Sequence, residues 1–155
     1  DALLKGLMGD AMQAERAVSR LYDVLVAGDF DALRRHIASL FAAIPHQWHD
    51  TNPIARYEGF YASVFYSHLA ALGLDLVPED ASYHGRIDLR LRFNGRIWLF
   101  EFKVVELVPE GAALQQIKDQ GYADKYRAEG LPIHLIGIEF SRERRSLVGF
   151  EVETL

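Results

Sequence analysis

The sequence contains no cysteine. That excludes a disulfide scaffold, cysteine zinc sites, thiolate catalysis and cysteine-ligated iron–sulfur clusters. It also fits a reducing compartment, and the expected location is the cytoplasm. No run approaches the ~18 uncharged apolar residues that a membrane-crossing helix needs, so no membrane partner is expected. Repeats and low-complexity tracts are missing. Basic residues are the minority: 17 Lys and Arg stand against 22 Asp and Glu, a formal charge of −5. This argues against a polycation that coats nucleic acid with its whole surface, and leaves room for a local basic groove. The phosphate loop G-x-x-x-x-G-K-[ST] is absent as well, so nucleotide hydrolysis by that route is not expected.

What remains is an ordinary globular composition. The chain has 155 residues, 50% hydrophobic and 25% charged, enough for one domain with a sizeable core. It opens on Asp1 rather than Met, inside a helical pattern, as a fragment of a longer protein would. Leu4, Leu7, Met8, Met12, Val18, Leu21 and Leu25 recur at helical spacing until Gly28-Asp29 breaks the pattern. Asp29 or Asp31 is placed to cap a second helix through Leu33, Ile37, Leu40 and Phe41. A loop around Ile44-Pro45 leads to a third helix over about 54–72, with Tyr57, Tyr61, Phe65, Leu69 and Leu72 near one face. The period then changes to two. Strands are expected at 74–79, 86–93, 96–105, 132–141 and 147–153, with one helix over 112–129 between the third and fourth. The expected fold is α/β (α+β): a mixed sheet flanked by helices, with an N-terminal helical extension over 1–50 and the main domain over 51–155.

One hairpin allows a register to be calculated. Asn94-Gly95 suits a two-residue type I′ turn, which sets Phe93 opposite Arg96. Asp88 then falls opposite Glu101 and Arg86 opposite Lys103. Ile87, Leu89, Leu91, Trp98, Phe100 and Phe102 form the opposite, apolar face. Two carboxylates opposed on a sheet repel unless something compensates. One reading is a divalent cation: carboxylate oxygens suit Mg²⁺ or Mn²⁺, which also accepts phosphate oxygens, with Lys103 close enough to handle a water or a phosphate charge. The other is a salt-bridged trio in which Lys103 or Arg86 neutralises the acids and no metal binds. The residue pattern alone fits both.

Gly85-Arg86-Ile87-Asp88, then Glu101-Phe102-Lys103 after twelve residues, resembles the PD-(D/E)XK nuclease superfamily. The likeness is closest to its bacterial domain that follows an AAA-ATPase-like domain in one polypeptide. It continues through Ile44-Pro45, Ala113-Leu114-Gln115-Gln116-Ile117, Gly121 to Tyr126, and Ile136 to Ser141, covering about 44–153. Ile87 stands where the family's name has proline. The resemblance implies a restriction-endonuclease-like core and a metal-dependent hydrolase acting on phosphodiester bonds in DNA, with Mg²⁺ or Mn²⁺ as cofactor. It also implies an ATPase-like partner domain in the parent chain. It makes Asp88 and Glu101 metal-binding carboxylates, Glu58 a further metal carboxylate, Lys103 the catalytic lysine, and Gln116 and Tyr122 auxiliary catalytic residues. Some divergent members are inactive, so the alternative is a nuclease-fold module that binds nucleic acid or a partner protein for an associated ATPase.

Arg86, Lys118 and Lys125 are candidate contacts to a nucleic-acid backbone. Arg90 and Arg92 are expected to pair with nearby acids instead. His84 adjoins the site, but a loop histidine without a role is the plainer reading. His46, Trp48 and His49 have no convincing metal spacing. Tyr126 is expected in the core. The acidic stretch from Glu139 to Glu143, with Glu151 and Glu153, reads as solvated edge.

Overall fold

The computed structural model describes residues 2–43, 54–78, 81–82, 85–86 and 88–155. Helix α1 (Ala2–Ala27) ends at Gly28, and Asp29 caps α2 (Phe30–Ala42) by accepting a 3.0 Å bond from the Ala32 amide. Such a cap satisfies an amide that has no partner inside the helix. Leu33, Ile37 and Phe41, one turn apart, are the buried stripe of α2. Helix α3 (Ile54–Ala70) buries Tyr61, Phe65 and Leu69 at the same spacing. Among the described residues no helix is long and apolar enough to cross a membrane.

The sheet has five strands: β1 (Asp75–Pro78), β4 (Leu89–Phe93), β5 (Arg96–Val105), β6 (Ile133–Ser141) and β7 (Ser146–Thr154), side by side in that order. A separate short ribbon pairs β2 (Ala81–Ser82) with β3 (Gly85–Arg86). Only β5 and β6 run parallel. A parallel pair needs a crossover, supplied by α4 (Ala112–Asp119) and a 3₁₀ helix, Tyr122–Glu129. The sequence had suggested one continuous helix here. The break falls at Gln120-Gly121, where Gly121 takes a left-handed φ of 59°, a common way to stop a helix.

The hairpin register is as calculated, from Phe93↔Arg96 to Leu89↔Phe100, with Asn94 and Gly95 both at positive φ. The ladder then stops. The expected strand over 86–93 is interrupted at Asp88, and Arg86 pairs with Ala81 in the ribbon rather than lying opposite Lys103. The cause is local. The Asp88 carboxylate takes the Phe102 amide at 2.8 Å, and a continued ladder would have set residue 87 opposite Phe102. A side chain thus replaces a rung.

Helices cover both faces of the sheet. Even residues of β5 (Trp98, Phe100, Phe102) join Leu89, Leu91, Ile136, Ile138 and Phe140 in a core with α1, α2 and α3. Leu21 and Leu25 of α1 and Leu33, Ile37 and Phe41 of α2 belong to that core. Odd residues Ile97 and Leu99 join Ile133 and Leu135 in a smaller core under Ile117, Tyr122 and Tyr126. This is the two-residue period of a strand buried on both sides.

Candidate functional site

The site lies where the smaller core gives out along β5. After Ile97 and Leu99, the next two side chains on that face are Glu101 and Lys103. Glu101 is only 4% exposed, and a carboxylate at that depth must be hydrogen-bonded. Its Oε1 accepts a 2.7 Å bond from Gln116 Nε2 on α4, and its Oε2 faces the Asp88 amide at 3.4 Å. Asp88, half-buried at the bend before β4, accepts from the amide that follows Glu101. The two acids are therefore interlocked: each carboxylate meets the backbone N–H belonging to, or next to, the other. Sequence reasoning set them opposite each other as a ladder pair, and the structure brings them together through side-chain–backbone bonds.

Gln116 reaches Glu101 because α4 lies very low on β6. Gly137 is the register neighbour of Glu101, and a Cβ there would come 2.8 Å from the Leu114 Cα. A glycine inside a strand commonly marks such an approach. Lys103, half-buried on the same face, lies beside Glu139 in the parallel register.

Glu139 corrects the sequence reading. It is not solvated but 2% exposed, and it accepts a 2.9 Å bond from the Glu110 amide. The misleading signal was the charge run that follows it. The useful one was its place in an apolar alternating strand, like that of Glu101. Glu143 and Glu151 are exposed as expected.

Other candidates are placed as follows. Tyr122 is fully buried in the smaller core, its ring centroid 6.0 Å from that of Tyr126. The Lys125 ammonium lies 5.9 and 5.5 Å from those two ring centroids, in cation–π range. Lys118 pairs with Glu153 on β7 at 3.1 Å rather than turning to the acid pair. Arg90 bonds Asp75 at 3.0 Å, and Arg92 bonds Glu129 at 2.7 Å. Burial is the largest single influence on the Arg90 cation and works against it, but the bond and charge of Asp75 together with Tyr126 outweigh it, and its pKa is raised. The side chains of Glu58, on α3, and of Arg86, on β3, lie outside the described residues, as do His46, Trp48, His49 and His84.

The donor set fits a hard divalent cation. Asp88 and Glu101 bring two carboxylates, the oxygen ligands such a cation takes, to one point of the sheet. Among the described residues no group of three His, Cys, Asp or Glu side chains is placed to hold a metal. Water and substrate oxygens would supply the rest of the shell, as is usual for Mg²⁺.

Comparison with known proteins gives the family. The family model of the PD-(D/E)XK nuclease superfamily matches residues 56–150. The chain is 61% identical over all 155 residues to an Azotobacter chroococcum mcd 1 protein named "Uncharacterized protein in vnfD 5'region". It spans 30% of that relative's length. No solved structure matches the chain.

Proposed function

Because the chain belongs to the PD-(D/E)XK nuclease superfamily, we propose that it is a divalent-metal-dependent nuclease domain that hydrolyses phosphodiester bonds in DNA. The observation that carries this is the interlocked Asp88–Glu101 pair, with Lys103 one pleat further along the same strand face. Mg²⁺ or Mn²⁺ held by the two carboxylates would polarise the phosphoryl group and acidify a bound water. The protein's own groups do the rest. Glu101 and Asp88 are pre-oriented by their bonds to Gln116 and to the backbone, so little reorganisation is needed when substrate arrives. Lys103 offers an ammonium to the charge that grows on the scissile phosphate, or a proton relay to the attacking water. Tyr122 acts by packing over Ile97 and Leu99, on the same face of β5 as the site.

Glu58 is a candidate further carboxylate at the metal. Arg86, Lys118 and Lys125 are candidate contacts to the DNA backbone. Lys118 would have to leave Glu153, a small cost because both partners are over a third exposed. We also assign the domain to a longer polypeptide with an ATPase-like partner domain, acting in the cytoplasm. The 30% share of its relative supports the first of these points, and the cysteine-free sequence is compatible with the last.

The test is cleavage of linear and circular DNA, single- and double-stranded, with Mg²⁺, Mn²⁺ or EDTA. Cleavage should require the metal and fall by about 100-fold or more in both Asp88→Ala and Lys103→Ala. An inactive wild type whose calorimetry shows no metal binding dependent on Asp88 and Glu101 would overturn the proposal. The function would then pass to a nuclease-fold binding module, a reading that the net charge of −5 favours.

A further inference from the structure

Helix α4 delivers Gln116 to Glu101, yet it has little means of fixing itself. It is eight residues long, and its N-cap, Gly111, makes no side-chain capping bond. Two turns are marginal alone in water, so its position must come from its surroundings. One support is Gly137 beneath Leu114. The other concerns the connection from β5 to α4, residues 106–111.

The start of that connection is tied to the β6–β7 turn. Arg142 N–H donates to Val105 O at 2.8 Å, Glu143 N–H to Glu106 O at 3.0 Å, and Ser141 Oγ to Glu106 O at 2.9 Å. Its middle is exposed, Leu107 by 39% and Val108 by 58%. Its end, immediately before Gly111, is held by the buried Glu139 carboxylate through the Glu110 amide. The strand pair is shaped around this carboxylate. The β6–β7 register shifts between Glu139 and Phe140. Across from Glu139, Gly149 leaves space: a Cβ there would lie 3.2 Å from Glu139 Cβ and 3.5 Å from Pro109 Cβ. Burying a carboxylate costs free energy, and an apolar residue would suit the rest of this strand better.

We infer that Glu139 is a positioning residue: its buried carboxylate anchors the end of the β5–α4 connection and so seats Gln116 on Glu101. The kinetic side of this rests on the nuclease reading; the structural side does not.

Two variants of the full chain test it. Glu139→Gln keeps an acceptor oxygen and loses the charge. Glu139→Met keeps length and burial and loses the acceptor, while the exposed Glu110 can turn its amide to water. The first measurement is amide hydrogen exchange at Glu110 and along α4. Loss of the latch in E139M should speed it by about tenfold, whereas E139Q should stay within roughly threefold of wild type. In cleavage assays, E139M should lower kcat by about tenfold with KM for DNA nearly unchanged, and E139Q should recover most of it. E139M combined with Gln116→Ala should be no slower than Gln116→Ala alone. Wild-type protection of Glu110 and α4 in E139M would overturn the inference, as would E139Q exchanging as fast as E139M. Should E139M fail to fold, Glu139→Asp, one methylene too short to reach Glu110, replaces it. If the wild type cleaves no DNA and binds no metal through Asp88 and Glu101, the nuclease reading fails; with no cleavage to follow, the exchange data alone decide the latch.

Discussion

The two faces of the sheet are built from the same strands for opposite purposes. On the face toward α1–α3, rings meet rings: Phe41 packs edge-on against Tyr61 at 5.0 Å and Phe140 at 4.7 Å, and Phe65 against Phe100 at 5.1 Å. On the other face the apolar layer covers only part of β5 and β6, then gives way to Glu101, Lys103 and Glu139. The difference lies in the odd residues of β5, which change from Ile97 and Leu99 to Glu101 and Lys103 while the even ones stay aromatic. One strand can thus be rigid through one set of side chains and carry the polar site through the other. The site is held on a fully packed floor.

That division of labour predicts which changes cost mainly stability and which cost mainly activity. Phe100→Ala empties a fully buried position on the ring-packed face and should destabilise by about 3–5 kcal/mol in chemical denaturation. Gln116→Ala, half-buried on the other face, takes one donor from the buried Glu101 carboxylate and should cost about 1–3 kcal/mol, less than Phe100→Ala, and yet lower the rate of DNA cleavage. The comparison would break if Gln116→Ala unfolded the protein as readily as Phe100→Ala.

Gly137 joins the two faces, because its strand is packed on one side and its missing side chain admits α4 on the other. Gly137→Ala should overpack and cost about 1–3 kcal/mol, visible as a lower melting temperature. It should also weaken cleavage by lifting Gln116 away from Glu101. Thermal melting equal to wild type would mean that α4 is not seated where the close approach to Leu114 implies.

Much of this is readable in the sequence where local chemistry decides. Asn94-Gly95 dictates the hairpin and its register, the spacing of Tyr61, Phe65 and Leu69 gives the buried stripe of α3, and the cap of α2 falls on Asp29, one of the two acids the sequence offered. What escapes is competition between bonds of similar strength. No periodicity says that the Asp88 side chain will take the Phe102 amide and end the ladder. Nor does spacing show that α4 stops after eight residues, since Ile117, Tyr122 and Tyr126 recur much as one helix would space them. The contact between Gln116 and Glu101 depends on how near a helix comes to a strand, a tertiary quantity. Family resemblance singled out Gln116, and residue pattern did not. Glu139 escaped because a charge run at a strand end looks the same whether its first member points inward or outward.

The smallest expected effect concerns acid, and it should fall on the ring-packed side. The described histidines all lie there: His36 on α2, His68 on α3, and His134 on β6 with its ring 4.9 Å from those of Phe30 and Trp98. Burial lowers all three pKa values below 6.5, helped by His68 and Arg20 around His36 and by Arg96 near His134. A lowered folded-state value means that the unfolded chain takes up the proton first as pH falls. The contribution of these residues is therefore fully present above about pH 6.5 and is lost as pH drops through the lowered folded values. Melting temperature should decline as pH falls below about 6.5, and His134→Gln, which can keep a bond to Thr154 Oγ1, should flatten the decline. Hydrogen exchange at the acid end should accelerate first in α2 and β7 rather than in α4. If α4 loosened first, the acid-sensitive element would be the polar site itself, and the assignment of stability to one face and chemistry to the other would have to be reversed for protons.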